Sequence, residues 1–168
     1  MLNLSKYNRF DAMIVRNEGC LRKVCHLYGG DNSALRDDLY QEIALRLWHS
    51  FDKPSFNGRC KESTWVYRIA INAAQNYLRK YLPKAETLPL SSLTSEPATE
   101  MHNERIDTLY EAIRQLDTTD QTIVLAHLDG DSHRDIALAL GMGESAVKMR
   151  FLRIKDKLRT LIEKTNIT

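Results

Sequence analysis

Two sets of side chains in this sequence have the types and spacing to bind nucleic acid. Trp65, Arg68, Asn72, Gln75 or Asn76, and Arg79 follow one another at steps of three and four, which lines them along one side of a helix. An indole and guanidinium planes stack on unpaired bases and amides hydrogen-bond base edges, so the stripe suits single-stranded DNA. The residues alone leave a second reading open, in which Trp65 belongs to a core and the others are solvated surface. The loop 56–61 precedes the stripe and is placed to form a pocket for a base lifted out of the stack. The second set is Lys148, Arg150, Arg153, Lys155, Lys157 and Arg159, crowded near the C-terminus. A basic stripe on one element is an electrostatic footprint for phosphate; the plainer alternative is a solvated helix face.

Other chemistries find less support. His26, His49, His102, His127 and His133 are scattered, with no triad and no glycine-rich phosphate loop around them. No catalytic residue, metal site or cofactor is therefore expected. Cys20, Cys25 and Cys60 make an odd count that argues against a disulfide framework. Cys20 and Cys25 with His26 are too loosely spaced, with no matching second pair, for structural zinc. Of the 168 residues, 43% are hydrophobic and 27% charged, an ordinary soluble composition. No apolar run approaches the ~18–20 residues of a membrane span, and residues 1–10 hold no signal-type apolar stretch. The expectation is a cytoplasmic protein without membrane insertion. A net charge of +2 would not by itself name a nucleic-acid partner; the placement of the charge does.

The elements that must carry these residues are helical. Leu35, Leu39, Ile43 and Leu47 recur at steps of four after the start signals Asp31, Asn32 and Ser33. An earlier helix is expected over roughly 4–27, from Phe10, Ile14, Leu21 and Val24, and another from about Ser63 to Tyr81. Pro54 and Gly58 punctuate the loop between helices. Pro83, Pro89 and Pro97, interspersed with serine and threonine, mark 83–104 as a flexible linker. About 20 residues reach at most ~70 Å, more than the ~34 Å of one turn of DNA, so two domains could occupy separate places on one duplex. The expected fold is all-α: two small helical domains, 1–82 and 105–168, joined by that linker.

The second domain ends in a helix-turn-helix pattern. Asp129-Gly130-Asp131 is a turn with Ser132 as the following N-cap, Ile136, Ala137 and Leu140 form a short helix that stops at Gly141, and a long helix follows Gly143. Val147, Phe151, Ile154, Leu158 and Leu161 give the long helix one buried face. Its first turns, free on the other faces, are those that normally enter a major groove. This pattern alone does not distinguish kinds of DNA-binding protein, and a stand-alone helix-turn-helix regulator is one of them.

Longer stretches carry a resemblance. Residues 38–48, Asp-Leu-Tyr-Gln-Glu-Ile-Ala-Leu-Arg-Leu-Trp, then Phe56-Asn57-Gly58, then 63–80, Ser-Thr-Trp-Val-Tyr-Arg-Ile-Ala-Ile-Asn-Ala-Ala-Gln-Asn-Tyr-Leu-Arg-Lys, resemble the second conserved region of sigma factors, closest to the small extracytoplasmic-function class of the sigma-70 family. Residues 136–141 and 146–159 resemble the fourth region of the same class. The resemblance implies an alternative sigma factor, without catalysis of its own, that binds bacterial RNA polymerase core and promoter DNA. It implies that Asp38, Leu39, Gln41, Glu42, Leu45 and Trp48 dock on the clamp helices of the largest polymerase subunit, while the C-terminal domain meets the flap of the second-largest. It implies that Phe56, Asn57, Gly58, Arg59, Trp65, Tyr67, Arg68, Asn72, Asn76 and Arg79 bind the minus-ten element. Ser145, Lys148, Met149, Arg150 and Arg153 then face the minus-thirty-five element, and an anti-sigma factor is an expected partner. Glu62 stands where the family usually has an aromatic residue, and an acid there is expected to repel phosphate. Met149, Phe151 and Leu152 also depart from common choices.

Overall fold

The computed structural model describes residues 4–53, 60–82 and 104–167. Phe56, Asn57, Gly58 and Arg59, and 83–103 of the expected linker, lie outside the described residues; Glu104 already opens a helix. Among the described residues there are eight α-helices and no strand: α1 (Leu4–Arg16), α2 (Glu18–Gly29), α3 (Ser33–Ser50), α4 (Glu62–Tyr81), α5 (Glu104–Arg114), α6 (Thr118–Leu128), α7 (His133–Leu140) and α8 (Glu144–Ile167). The expected single helix over 4–27 is two. Asn17 interrupts it with φ −109° and ψ 14°, because its buried side-chain amide donates to Met13 O at 2.8 Å and to Glu62 Oε1 at 2.8 Å. A residue whose amide bonds locally competes with the helical ladder.

Helix starts follow the local chemistry. Asn32 caps α3 by accepting from Leu35 N at 3.0 Å, and Ser132 caps α7 by accepting from Asp135 N at 3.1 Å. Gly29 ends α2 where α3 approaches closely: a Cβ there would stand 2.6 Å from Arg36 Cγ. Gly141 closes α7 in the left-handed region, φ 66°, with Met142 N donating back to Ala137 O at 2.9 Å.

Helices α2, α3 and α4 form the first domain's core, around Leu21, Val24, Leu27, Leu39, Ile43, Leu47, Val66, Ala70 and Ile71. Helix α1 lays Phe10 edge-on against Trp48 and Phe51. The second domain packs α8 against α5, α6 and α7, with Ile113, Ile123, Ile136, Val147 and Ile154 at most 2% exposed.

The two domains are not apart. Helix α4 packs on α2 and α3 on one side and on α6 and α7 on the other, and α2 also meets α5. The linker expectation allowed separation; here one apolar core runs through both domains. At its centre lies Gln121, 0% exposed. Its Nε2 donates to Ile113 O, Arg114 O and Leu116 O, at 3.2, 3.3 and 3.1 Å, satisfying carbonyls at the end of α5. Its Oε1 accepts from the Tyr28 hydroxyl, which in turn accepts from Gln75 Nε2 at 3.2 Å. Burial pushes the Tyr28 phenol up to about 12, so it is a neutral donor.

Gln121→Ala leaves those carbonyls and the Tyr28 hydroxyl without their partner. Urea unfolding followed by circular dichroism should show a loss of about 2–3 kcal/mol, against about 1–2 kcal/mol for Tyr28→Phe, because the first strands three carbonyls and a hydroxyl whereas the second strands the Gln121 Oε1 acceptor and the Gln75 amide.

Candidate nucleic-acid interface

The α4 stripe divides in two. Arg68, Asn72, Asn76 and Arg79 are exposed along one face, while Gln75 turns inward to Tyr28. Trp65 and Tyr67 are 1% and 0% exposed. The resemblance put both on promoter DNA; in this conformation they are core residues, as the residues alone had left open for Trp65, since i and i+2 of a helix that is packed on two sides have no solvent to face. Arg68 is itself engaged, its Nη1 donating to Ala139 O at 3.1 Å. Asn72 opens on two depressions. One lies against α3, with Arg46, Ser50 and Asn76. The other is a cleft shared with α6, α7 and α8, lined by Arg68, Thr118, Thr119, Thr122 and Arg150.

Helix α3 presents Asp38, Gln41 and Leu45 outward, and Glu42 is half-buried beside Arg46 at 3.6 Å. Leu39 is 0% exposed; it lies on the core side of the same helix and cannot form part of an outer docking surface. Trp48 is half-buried under α1, between Tyr7 and Phe10, with the Lys6 ammonium 4.3 Å from its ring centre.

Helix α8 exposes Ser145, Lys148, Met149 and Arg153. Ser145, Met149, Arg153 and Lys157 border an open groove with Asp120 and Met142. Arg150 differs from its neighbours. Its Nη2 lies 2.9 Å from Asp117 Oδ2 and its Nε donates to Asp120. Asp117 is also the N-cap of α6. The guanidinium therefore ties α8 to the start of α6, where carboxylates complement the helix dipole, and is not free to reach a base edge.

Glu62, the acid at the family's aromatic position, has protein partners of its own. Arg16 grips it with Nε at 3.1 Å and Nη2 at 3.0 Å, and Asn17 adds a third bond. The acid faces the α1–α2 break, and Arg16 balances its charge. Burial works to raise the Glu62 carboxyl, but the hydrogen bonds from Arg16 and Asn17 and the Arg16 charge outweigh it and hold the group below its ordinary range. Sequence reasoning missed a further cluster: His127, His133 and Phe151 meet with ring centres 4.1–5.7 Å apart. Burial first, then His133 and Lys155, disfavour charge on His127. Spacing alone could not have shown it, because the three residues sit on three helices.

These features define a class: a helical protein with a helix-turn-helix carrying a basic outer face, and a separate helical unit with an arginine-amide stripe. The family model for Sigma-70 region 2 matches residues 13–81, and that for Sigma-70 region 4 matches 106–158. The RNA polymerase sigma factor NccH of Alcaligenes xylosoxydans xylosoxydans is 26% identical, covering 94% of this chain and 89% of its own length. The ECF RNA polymerase sigma-E factor of Escherichia coli K12 is 26% identical, over 92% of this chain and 86% of its own. Among solved structures, CnrH in complex with the cytosolic domain of CnrY is similar with TM-score 0.61 at 21% identity, covering 94% of this chain and 90% of that one. RpoE in complex with the anti-sigma factor NepR from Bartonella quintana gives TM-score 0.62 at 19% identity, covering 92% and 97%. The chain belongs to the sigma-70 family of RNA polymerase sigma factors, in its extracytoplasmic-function class.

The Glu62 contacts carry a pH signature. A carboxyl held low in the fold contributes stability that is fully present above its unfolded value and lost as pH falls through the folded one. Glu62→Gln should be less stable than the wild type at neutral pH. The gap in urea midpoint should narrow as the pH is lowered from about 7 to about 3; a constant gap would mean that the Glu62 charge is not what Arg16 and Asn17 hold.

Proposed function

We propose that this chain is an alternative sigma factor: it joins bacterial RNA polymerase core, recognises a promoter through two separate helical surfaces, and directs melting and initiation there. The observation that carries the reading is the presence in one chain, in family order, of region 2 over 13–81 and region 4 over 106–158. The chemistry of the surfaces supports it. The outer face of α3, with Asp38, Gln41, Glu42 and Leu45, offers acceptors around one exposed leucine, a surface for the clamp helices of the largest subunit. Helices α5–α8 would meet the flap of the second-largest. Arg68, Asn72, Asn76 and Arg79 supply stacking planes and amides for the unpaired minus-ten strand, together with the loop residues Phe56, Asn57, Gly58 and Arg59. Lys148 and Arg153, with Ser145 and Met149, face the minus-thirty-five major groove; lysine and arginine there contact phosphates or guanine edges.

The role is one of binding, with no catalysis by the chain itself. No described helix is long and apolar enough to cross a membrane, and a partnership with polymerase places the protein in the cytoplasm. CnrH and RpoE are each in complex with another protein, CnrY and the anti-sigma factor NepR. An anti-sigma factor for this chain is the corresponding reading.

The first test is binding of the purified protein to bacterial polymerase core, followed by run-off transcription from genomic fragments. Tight binding with new, sequence-selective starts is the expected result. Specific duplex shifts by the protein alone, without core binding, would instead make it a stand-alone regulator. Asp38→Ala or Gln41→Ala should weaken core binding by about tenfold, the scale of a well-placed contact. Lys148→Ala should leave core binding intact and reduce promoter use; if it abolished core binding, the division of roles between the domains would be wrong.

A further inference from the structure

The outer face of α8 is not basic at its centre. Val147 and Ile154, 0% and 2% exposed, mark the side turned to the core. The row opposite them, at steps of three and four, is Ser145, Met149, Leu152 and Asp156. Met149 is 54% exposed and Leu152 47%. Lys148 stands on one flank of that row and Arg153 on the other, both exposed. The first half of the helix therefore presents two large apolar side chains framed by cations. The row turns acidic at Asp156, whose side chain is 78% exposed, so the part suited to lie against DNA ends before it.

Exposed apolar residues scattered singly are ordinary on a protein surface. This pair differs in its place. It occupies the middle of the face that a helix-turn-helix turns to the major groove, between side chains suited to phosphate. The base edges in that groove offer polar donors and acceptors and one apolar group, the thymine 5-methyl. Methionine and leucine pair with no base donor or acceptor, so packed on a polar edge they would strip it of water without replacing the hydrogen bond. Packed on a thymine methyl, they bury apolar surface on both partners.

We propose that Met149 and Leu152 are specificity-determining residues that read thymine 5-methyl groups on neighbouring base pairs of the duplex bound by α8. The inference rests on the promoter-reading role given to α8 and names the base feature that it reads. Three residues of helix rise about 4.5 Å, close to the ~3.4 Å step between base pairs, so the two side chains meet successive pairs. Lys148 and Arg153, on the flanks, take phosphates or guanine edges and set the register. Leu152 thereby joins the DNA surface as a reader, and the sequence preference of α8 follows from an apolar contact as well as from its charges.

Duplexes with a randomised centre supply the probe, selected with holoenzyme assembled from the full chain and bacterial core and, in parallel, with the full chain alone. Each thymine of the selected sequence is then replaced by uracil, which removes the 5-methyl and leaves base pairing intact. Two neighbouring positions in the segment that α8 covers should each weaken binding by about fourfold, the worth of one buried methyl group. On the thymine duplex, Met149→Ala and Leu152→Ala should weaken binding to a similar degree. On the duplex with uracil at both positions they should cost almost nothing more, the non-additivity expected of groups in contact. Lys148→Ala should weaken both duplexes alike. The uracil arm uses the unaltered protein, so it decides the matter even if a variant misfolds. A selected segment without neighbouring thymines, no response to uracil there, or a response undiminished in both alanine variants would overturn the methyl reading. Failure of the sigma reading looks different: selection would succeed with the chain alone and core would not bind, while the uracil comparison would still be made on those duplexes. No selection in either form would take α8 off DNA, and the proposal with it.

Discussion

The structure depends on α4 being buried from two directions. Seven of its residues, from Trp65 to Ala74, are apolar and at most 3% exposed, more than one face of a 20-residue helix can supply to a single partner layer. The first domain covers one side with α2 and α3, and the second covers the other with α6 and α7. Ala70, Ala73 and Ala74 keep the helix thin enough for both layers to approach. Helix α6 mirrors this, with buried residues from Gln121 through Ala126 and no polar stripe in its middle. Each domain thus contributes one helix with a broad apolar surface, and the two helices bury each other.

Charge at the surface of this core is arranged to settle geometry before it meets any partner. Arg150 secures α8 to the first turn of α6 through Asp117 and Asp120. Arg16 and Asn17 fasten the α1–α2 break to the start of α4 through Glu62. What remains outward on α8, Lys148, Arg153, Lys155 and Lys157, is therefore presented on a helix whose orientation is already set. The long-range field of that stripe, tempered by Asp156 within it, can act on a phosphate backbone.

Much of the fold was legible in the sequence because its signals are local. The i+4 leucines of α3, the Asn32 and Ser132 caps and the Gly141 stop each act within one or two turns, and each lies where the pattern placed it. The break at Asn17 was not legible, since it needs Glu62, 45 residues away. The site divides in the same way. Exposure of Asp38, Gln41, Lys148 and Arg153 follows from helical phase. Burial of Leu39 also follows from phase, and the leucine stripe had already placed it in the core; the resemblance put it on the docking surface against that pattern. Burial of Trp65 was one of two readings the residues left open, while burial of Tyr67 and capture of Arg150 by two aspartates depend on which helices pack on which, and no spacing rule encodes that.

The Gln75–Tyr28–Gln121 chain of hydrogen bonds, ending on the carbonyls of α5, crosses from one domain to the other through the interior. A buried polar relay tolerates replacement of all its members by apolar groups far better than loss of one. Its three side chains therefore act as one unit spread over two family regions. An exchange of C-terminal domains between this lineage and a relative would join a Tyr28 to a foreign residue at position 121, and the hybrid would inherit an unmatched polar group at the centre of its core. Such a chimera would keep the outer faces of α3 and α8 and lose the hydrogen-bonded match between the domains.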